Sequence, residues 1–319
     1  MGLSQGGMMH DVLVVGAGLA GLMAVNELDK AGVDYVCYEK QKEYSINCGE
    51  GISVRNLEKL KLDVDVVNVT DKIKVRVGKK NFSIDKKIAH IDRKKLQQKL
   101  AKGKNIKFGV SIKDIKVKEN VVVKTSKGII KAKKCIVAGG SSFIKSKSYN
   151  SYGYVVNASF DSILFDPLDK FGLFWIFPKG KTSTVGVSYI GYGLDMKKEL
   201  DKYMNKYFDE YQVIRKIGGV TPVGGPRKSS EKLLYCGDAG GFVGAALGDG
   251  IYYALESGRL AGLSIVNDAD YNKMWKKSIG SKLRKSLLVK KVAYGLYKTG
   301  LIDLFENQLF NYYKKKVLK

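Results

Sequence analysis

Asp11-Val-Leu-Val-Val15 runs straight into Gly16-Ala-Gly18-Leu-Ala-Gly21, and Leu22 to Lys30 then reads as a helix stopped by Ala31-Gly32. Strand, glycine turn and helix in that order open a nucleotide-binding βαβ unit. Gly16 permits the tight turn, Gly18 lets the backbone approach a pyrophosphate, and Gly21 lets the helix pack on the strand. The helix N-terminus then faces the phosphate charge. The next strand, Tyr35-Val-Cys-Tyr38, ends in Glu39, eighteen residues after Gly21, where a carboxylate accepts hydrogen bonds from a ribose. A lone GxGxxG is weak, but strand, helix and acid together make the nucleotide reading strong.

The motif does not separate NAD from FAD; the chain beyond it does. A dehydrogenase of repeated βαβ units continues with alternating helices and strands, whereas Ile73, Val75 and Val77, then Phe82 and Ile84, alternate around Gly78-Lys-Lys80 as a hairpin. Further β-rich stretches span 106–139 and 152–190, and Leu233-Leu-Tyr-Cys236 is a late strand ending in Gly237-Asp238. The glycine-rich Ala239-Gly-Gly-Phe-Val-Gly244 and a helix after Gly250 follow, which fits closure of an FAD site by a returning segment. Asp238 is placed to bind the ribityl chain, and the backbone at Gly250-Ile251 to approach the flavin from a helix N-terminus.

Composition sets the bounds. At 319 residues and 45% apolar side chains the chain can bury a full core in one or two domains. No apolar run approaches eighteen residues, so a spanning helix is not expected. Cys37, Cys48, Cys135 and Cys236 form no CxxC pair, which argues against zinc, an iron–sulfur cluster or a disulfide framework, and fits a cytoplasmic protein; no metal site is expected. The Gly- and Met-rich Met1 to His10 reads as a frayed leader outside the fold. A formal charge of +25 attracts anionic surfaces, although lysines spread along the whole chain also describe plain solvation. No nucleic-acid module accompanies that charge.

Four segments carry a resemblance: Val14-Val-Gly-Ala-Gly-Leu-Ala-Gly21 with Tyr38-Glu-Lys40; Cys48-Gly-Glu-Gly-Ile-Ser53; Phe174-Trp-Ile-Phe-Pro178; and Gly237-Asp-Ala-Gly-Gly-Phe242 with Gly248-Asp-Gly-Ile-Tyr-Tyr-Ala254. From Asp11 to about Leu288 the chain resembles the archaeal-type geranylgeranyl reductases, the digeranylgeranylglycerophospholipid reductase-like flavoproteins. The first and last segments speak only for FAD; the CGEG(L/I)S turn and the WxFP box are specific to the prenyl reductase branch. The resemblance implies cofactor contacts at Gly16, Gly18, Ala20, Gly21, Glu39, Lys40, Cys48, Gly49, Gly51, Arg93, Val110, Gly237, Asp238, Gly250 and Ile251. It implies a lipid cavity lined by Trp175, Phe177 and Pro178. The chain departs from the family pattern at Leu173, where the family has Tyr, at Gly139, where it has Asp, and at Ala245, where it has Pro.

Flavin reduction of an isolated alkene needs a hydride, a proton and a cavity that excludes water. His10 and His90 are the only histidines, so a histidine general acid is not expected. Two readings of Cys48 stand side by side: a catalytic thiol at the flavin face, or a small side chain that fits a tight turn. Arg93 presents a guanidinium fork suited to a pyrophosphate. Trp275, Ile279, Leu283 and Leu287, with seven basic residues between them and Lys291, form a basic amphipathic helix that either packs on the protein or lies on anionic lipid.

The expectation is therefore an α/β protein with a glutathione-reductase-like FAD-binding fold, an inserted mixed β-sheet substrate domain and a helical C-terminal region. The FAD domain is discontinuous, 8–145 and 215–265; the substrate domain is 146–214; basic C-terminal helices fill 266–319. The expected function is saturation of prenyl chains on membrane lipids or their precursors, with an FAD monooxygenase of the hydroxylase type, or a non-catalytic prenyl-lipid-binding flavoprotein, as alternatives. Expected partners are a prenylated lipid, NAD(P)H or reduced ferredoxin as electron donor, and an anionic membrane surface on the cytoplasmic side, with no nucleic acid.

Overall fold

Val12 and Val14 point to one side of the first strand and Leu13 and Val15 to the other, and all four are buried. A strand apolar on both faces belongs at the centre of a sheet covered twice, and the computed structural model places it there. The structure describes residues 9–77, 79–168, 171–191 and 193–316. In chain order the first elements are β1 (Met9–Val15), α1 (Leu19–Lys30), β2 (Tyr35–Glu39), β3 (Gly51–Ser53), α2 (Val54–Leu60), β4 (Val66–Val77), β5 (Lys80–Ile91) and α3 (Arg93–Ala101). Then come β6 (Ile106–Phe108), β7 (Ile112–Val117), β8 (Val121–Thr125), β9 (Gly128–Val137), β10 (Ser148–Val156), β11 (Ile163–Pro167), β12 (Gly172–Lys179) and β13 (Thr182–Tyr189). The chain closes through α4 (Met196–Tyr207), β14 (Val213–Pro222), β15 (Leu233–Tyr235), α5 (Ile251–Val266), α6 (Tyr271–Trp275), α7 (Ser281–Lys298) and α8 (Glu306–Lys316).

Two sheets organise these elements. The first runs β6-β2-β1-β9-β8-β7, with β15 also on β9; β6, β2, β1, β9 and β15 pair in parallel, and β8 and β7 add an antiparallel meander. The helices α1 and α5 cover one face at very close range. A Cβ on Gly258 would lie 2.0 Å from the Ala20 carbonyl oxygen, and one on Gly262 2.7 Å from that of Ala24. Small residues at i and i+4 on both helices are therefore what lets the returning helix lie against the glycine turn.

The second sheet runs β14-β10-β13-β12-β11-β4-β5-β3. Its membership corrects the expected boundaries. Residues 51–53, 66–77 and 80–91 were placed in the FAD domain, yet β4 and β5 pair with each other and join β11 in parallel. Likewise β14, assigned mainly to the returning FAD segment, pairs with β10. Strand pairing is a long-range hydrogen-bonding choice, and alternation within a strand does not say which sheet receives it. On the far face α4 lays Leu200, Tyr203 and Met204 over Phe174 and Ile176. Fully buried Asp166 ties this layer together, pairing with Arg76 and accepting hydrogen bonds from Lys206 Nζ at 2.7 Å and Tyr207 Oη at 2.6 Å.

The N-terminal expectation changes, and at the C-terminus the stripe packs on the protein, one of its two readings. Met9 and His10 belong to β1, paired with Lys131 and Ala132, because the neighbouring β9 extends far enough to hydrogen-bond them; residues 1–8 of the expected leader lie outside the described residues, as does Gly78 of the hairpin turn. The C-terminal apolar stripe is consumed within the fold. Trp275, Ile279 and Leu283 are buried in the core beside Phe242 and Tyr271, and Leu287 packs near Val223 and Val243. Even Lys290 is buried, its ammonium donating to the Val223 carbonyl at 2.6 Å.

Candidate functional site

The glycine turn takes the form its sequence demands. Gly16 adopts φ +91°, and a Cβ there would lie 2.6 Å from the Ala138 carbonyl oxygen; a Cβ on Gly21 would lie 1.8 Å from that of Gly16. Gly18 is different: nothing lies within 4 Å of its Cβ position, so the turn is open on the side facing the cavity. Glu39 is buried at the end of β2, and its carboxylate receives the Ala17 N–H at 2.8 Å and the Gln41 N–H at 2.9 Å. It thus holds the glycine turn to the second strand.

A cavity of about 880 Å³ runs from this turn to the second sheet. It brings together Gly18, Ala20, Cys48, Gly49, Gly51, Arg93, Gly237, Asp238, Gly250, Ile251, Trp175 and Phe177. Gly16, Gly21 and Glu39 stand behind the wall as its frame. Lys40 is exposed, and Val110 is buried with its N–H donating to the Glu39 carbonyl at 2.9 Å; neither side chain lines the cavity.

The residues fit FAD. The open side of Gly18 leaves room for a pyrophosphate beside the α1 N-terminus, where main-chain N–H groups point outward. Arg93 Nε is buried and has no hydrogen-bond partner among the described residues, a state that an anionic or carbonyl acceptor relieves. Burial pushes the Asp238 carboxyl above its ordinary range, with Arg93 opposing that shift.

Opposite the glycine turn, β12 divides its side chains by the two-residue period of a strand. Leu173, Trp175 and Phe177 face the cavity, while Phe174, Ile176 and Pro178 face α4 and the core behind the sheet. Pro178, expected to line the lipid cavity, is therefore on the other side, because it is odd-numbered steps from its neighbours on the wall. Trp175 Nε1 donates to Ser188 Oγ at 2.9 Å, which sets the ring edge-on to Phe177, with centroids 5.7 Å apart.

The Cys48 turn lies directly against Phe177. A Cβ on Gly49 would sit 2.5 Å from that ring and one on Gly51 3.0 Å, so the glycines of Cys48-Gly-Glu-Gly51 let the backbone lie flat on the aromatic wall. Glu50 takes φ +59°, its N–H donates to Cys48 Sγ at 3.3 Å, and its carboxylate accepts the Arg93 N–H at 3.0 Å and pairs with Lys179. Glu50 lies in a glycine-rich turn yet is buried, and it knits three segments together. Burial pushes the Lys179 ammonium down to about 8, with Cys48 opposing and Arg215 reinforcing the shift. Lys179 continues the 173-175-177 alternation, which was the available signal for it. His90 is fully buried, its Nε2 3.1 Å from Thr70 Oγ1, and burial pushes it down to about 4, so it is neutral at pH 7.

Asp249 also escaped sequence reasoning. Its side chain is open to the cavity yet surrounded by protein, and burial pushes its carboxyl up to about 6. Of the three departures from the family pattern, Leu173 is on the cavity wall, Gly139 packs against Phe143, and Ala245 is buried beside Tyr149 and Val223.

The FAD binding domain family matches residues 9–71, the glycine turn through the start of the second sheet. Over most of its length the chain is similar to the digeranylgeranylglycerophospholipid reductases. It is 24% identical to the digeranylgeranylglycerophospholipid reductase of Methanosarcina mazei, covering 88% of this chain and 84% of that one. It is 26% identical to the enzyme of the same name from Methanocaldococcus jannaschii, over 89% and 86% of the two chains. Among solved structures, a geranylgeranyl bacteriochlorophyll reductase-like protein from Thermoplasma acidophilum superposes with a TM-score of 0.82 at 20% identity, covering 98% of each chain. A flavin-dependent brominase shares the fold at a TM-score of 0.70 and 13% identity, over 97% of this chain and 94% of that one. The relationship makes this chain an FAD-dependent oxidoreductase.

Proposed function

We propose that this chain saturates isolated C=C bonds of geranylgeranyl or related prenyl chains on membrane lipids or their precursors. The observation that carries the reading is the shared cavity: the open glycine turn, the Cys48 turn and an apolar wall of Leu173, Trp175, Phe177, Ile73, Ile88 and Phe165 face one space. Reduced FAD held there supplies the hydride. The aromatic and aliphatic wall binds the chain and excludes water, which an unactivated alkene requires. Cys48 Sγ, fixed by the Glu50 N–H, holds a proton at the edge of that wall. NAD(P)H or a reduced ferredoxin supplies the electrons.

Anaerobic mixing of the reduced holoprotein with geranylgeranylated lipid tests the proposal. The flavin is expected to reoxidise in step with double bonds lost, with a gain of about two mass units per bond. A flavin that stays reduced until oxygen is admitted would identify a hydroxylase; unchanged lipid under both conditions would identify a passive binder.

A peripheral attachment to anionic membrane is part of the same reading. Trp275, Ile279 and Leu283 of the C-terminal stripe are buried in the protein, but Leu288, Val292, Leu301, Leu304 and Phe305 are exposed near Lys285, Lys291 and Lys298. Each basic residue near such a surface contributes on the order of 1 kcal/mol. Flotation with vesicles containing anionic lipid, lost on Leu304→Glu with Phe305→Glu, supports attachment; failure to float with wild-type protein removes it. No helix among the described residues is long and apolar enough to cross a membrane.

A further inference from the structure

A cavity that keeps water from a prenyl chain also shuts out the ordinary source of protons, yet every double bond saturated there consumes one. One group of residues crosses that barrier. Cys48 and Glu50 line the cavity, and Cys48 is partly accessible while Cys37, Cys135 and Cys236 are buried. Lys179 is not among the lining residues: it follows Phe177 on the same face of β12, and its side chain is 17% exposed. Its ammonium pairs with the Glu50 carboxylate, whose other oxygen accepts the Arg93 N–H at 3.0 Å, and the Glu50 N–H donates to Cys48 Sγ at 3.3 Å. Arg215, from β14, donates to the Ile46 carbonyl at 2.8 Å and holds the same turn from another element. Asn68 Nδ2 donates to the Pro178 carbonyl at 3.3 Å, which fixes the end of β12. The charged and titratable groups facing Lys179 among the described residues are thus Glu50, Cys48 and Arg215. Burial brings its ammonium down to about 8, against the pull of Cys48 and with the push of Arg215. A lysine at its ordinary value of about 10.4 holds its proton firmly at neutral pH, whereas one near 8 is charged at pH 7 and gives the proton up readily.

We propose that Lys179 is the proton inlet of the site: its ammonium, in touch with solvent on one side, recharges the Cys48 thiolate on the other. The proposal rests on the prenyl-reductase reading and on the proton held by Cys48. In each turnover the hydride brings two electrons and a hydrogen to one alkene carbon, and the Cys48 S–H bond breaks to give a proton to the other. An N–H bond of Lys179 then breaks as the S–H bond re-forms, and the neutral amine takes its proton back from water outside the cavity. The net uptake is one proton from solvent, and no water enters the apolar space. Glu50 serves both ends of the path, its carboxylate holding the ammonium to the turn and its N–H holding Cys48 Sγ. Lys179 acts through Cys48 and is therefore a positioning residue that also refills the thiol.

The test compares FAD-loaded wild-type protein with Lys179→Met and Lys179→Arg. Alkylation by iodoacetamide, located by peptide mass, reads the Cys48 thiolate without any turnover, because the other three cysteines are buried. Loss of the cation in Lys179→Met is expected to slow Cys48 alkylation at pH 7 about fivefold, and Lys179→Arg to keep it within about twofold. Arginine preserves the charge and the pairing with Glu50 but does not release its proton. With dithionite as donor and geranylgeranylated lipid as acceptor, Lys179→Arg is expected to complete its first turnover within about twofold of wild type and then to run at least about tenfold slower in steady state, where Cys48 must be refilled. A wild-type steady state in Lys179→Arg overturns the inlet and leaves the lysine as a structural partner of Glu50. Alkylation of Lys179→Met at the wild-type rate overturns it as well. Where Lys179→Met does not fold, the ratio of first to later turnovers in Lys179→Arg decides alone. Wild-type protein that reduces no prenyl lipid overturns the reductase reading and the inlet together, whereas variants that match a wild type in full turnover overturn the inlet alone.

Discussion

The two walls of the cavity are built on opposite principles. On the side of the first sheet the main chain does the work: Gly16, Gly21, Gly258 and Gly262 bring backbone against backbone, and Gly18 leaves one side open. On the side of the second sheet the side chains do it: Leu173, Trp175 and Phe177 project from β12, whose opposite face packs into a core under α4, and Lys86 projects from β5. A wall made of backbone tolerates almost no added atom, whereas a wall made of alternating side chains separates stability from recognition one residue at a time.

The largest effect expected from that contrast lies in the glycine turn. Gly21→Val puts a branched side chain where even a Cβ is 1.8 Å from the Gly16 carbonyl oxygen, so loss of about 3 kcal/mol or more, with loss of flavin, is expected in urea unfolding. Gly18→Ala should unfold like wild type and only weaken FAD retention, since its Cβ meets nothing within 4 Å. Equal damage from both would mean that the turn is not divided into a packed and an open side.

Next in size is the strand that faces both ways. Phe174→Ala removes a fully buried ring and is expected to cost about 3–5 kcal/mol of stability while flavin per folded molecule is unchanged. Trp175→Ala, one residue along, should cost less stability but slow lipid-dependent flavin reoxidation. If Trp175→Ala instead strips the flavin and leaves turnover per remaining flavin intact, the aromatic wall belongs to the cofactor.

His90, packed against Phe177, tests the buried side of the second wall by pH. An unfolded histidine takes up a proton below about 6.5, whereas folded His90 does so only near 4. The native state therefore has its full share of this stability above pH 6.5 and loses it as pH falls towards 4, by about 3 kcal/mol in all. His90→Gln should flatten that part of the stability profile relative to wild type; an unchanged difference between pH 7 and pH 4.5 would contradict the neutral, buried assignment.

The smallest expected effect is at the contact between the walls. Cys48→Ala should retain FAD and its reduction by dithionite, while slowing alkene reduction about tenfold, equivalent to ~1.4 kcal/mol in the barrier. Unchanged single-turnover rates would leave the Cys48 thiol as packing against Phe177.

Legibility followed the same division. The strand, glycine turn and helix were readable because backbone geometry at a nucleotide site restricts the residue type at each position. Pro178 was misplaced and Lys179 missed although strand alternation carries both, since the WxFP box was read as a block rather than by parity. Glu50 offered no local sign of burial. Its partners, Arg93 and Lys179, are 43 and 129 residues away.

By itself the amino-acid sequence determined the FAD-binding half, the presence of a β-rich second half and an amphipathic C-terminal helix, because glycine spacing and hydrophobic period are local physical constraints. Tertiary structure alone decided that β3, β4, β5 and β14 join the second sheet, that Trp275, Ile279 and Leu283 are buried, and that Arg55, Lys86 and Lys282 share one wall. Strand partners, the burial of an amphipathic face and the convergence of charges all depend on groups far apart along the chain, and only the folded packing fixes which of them meet.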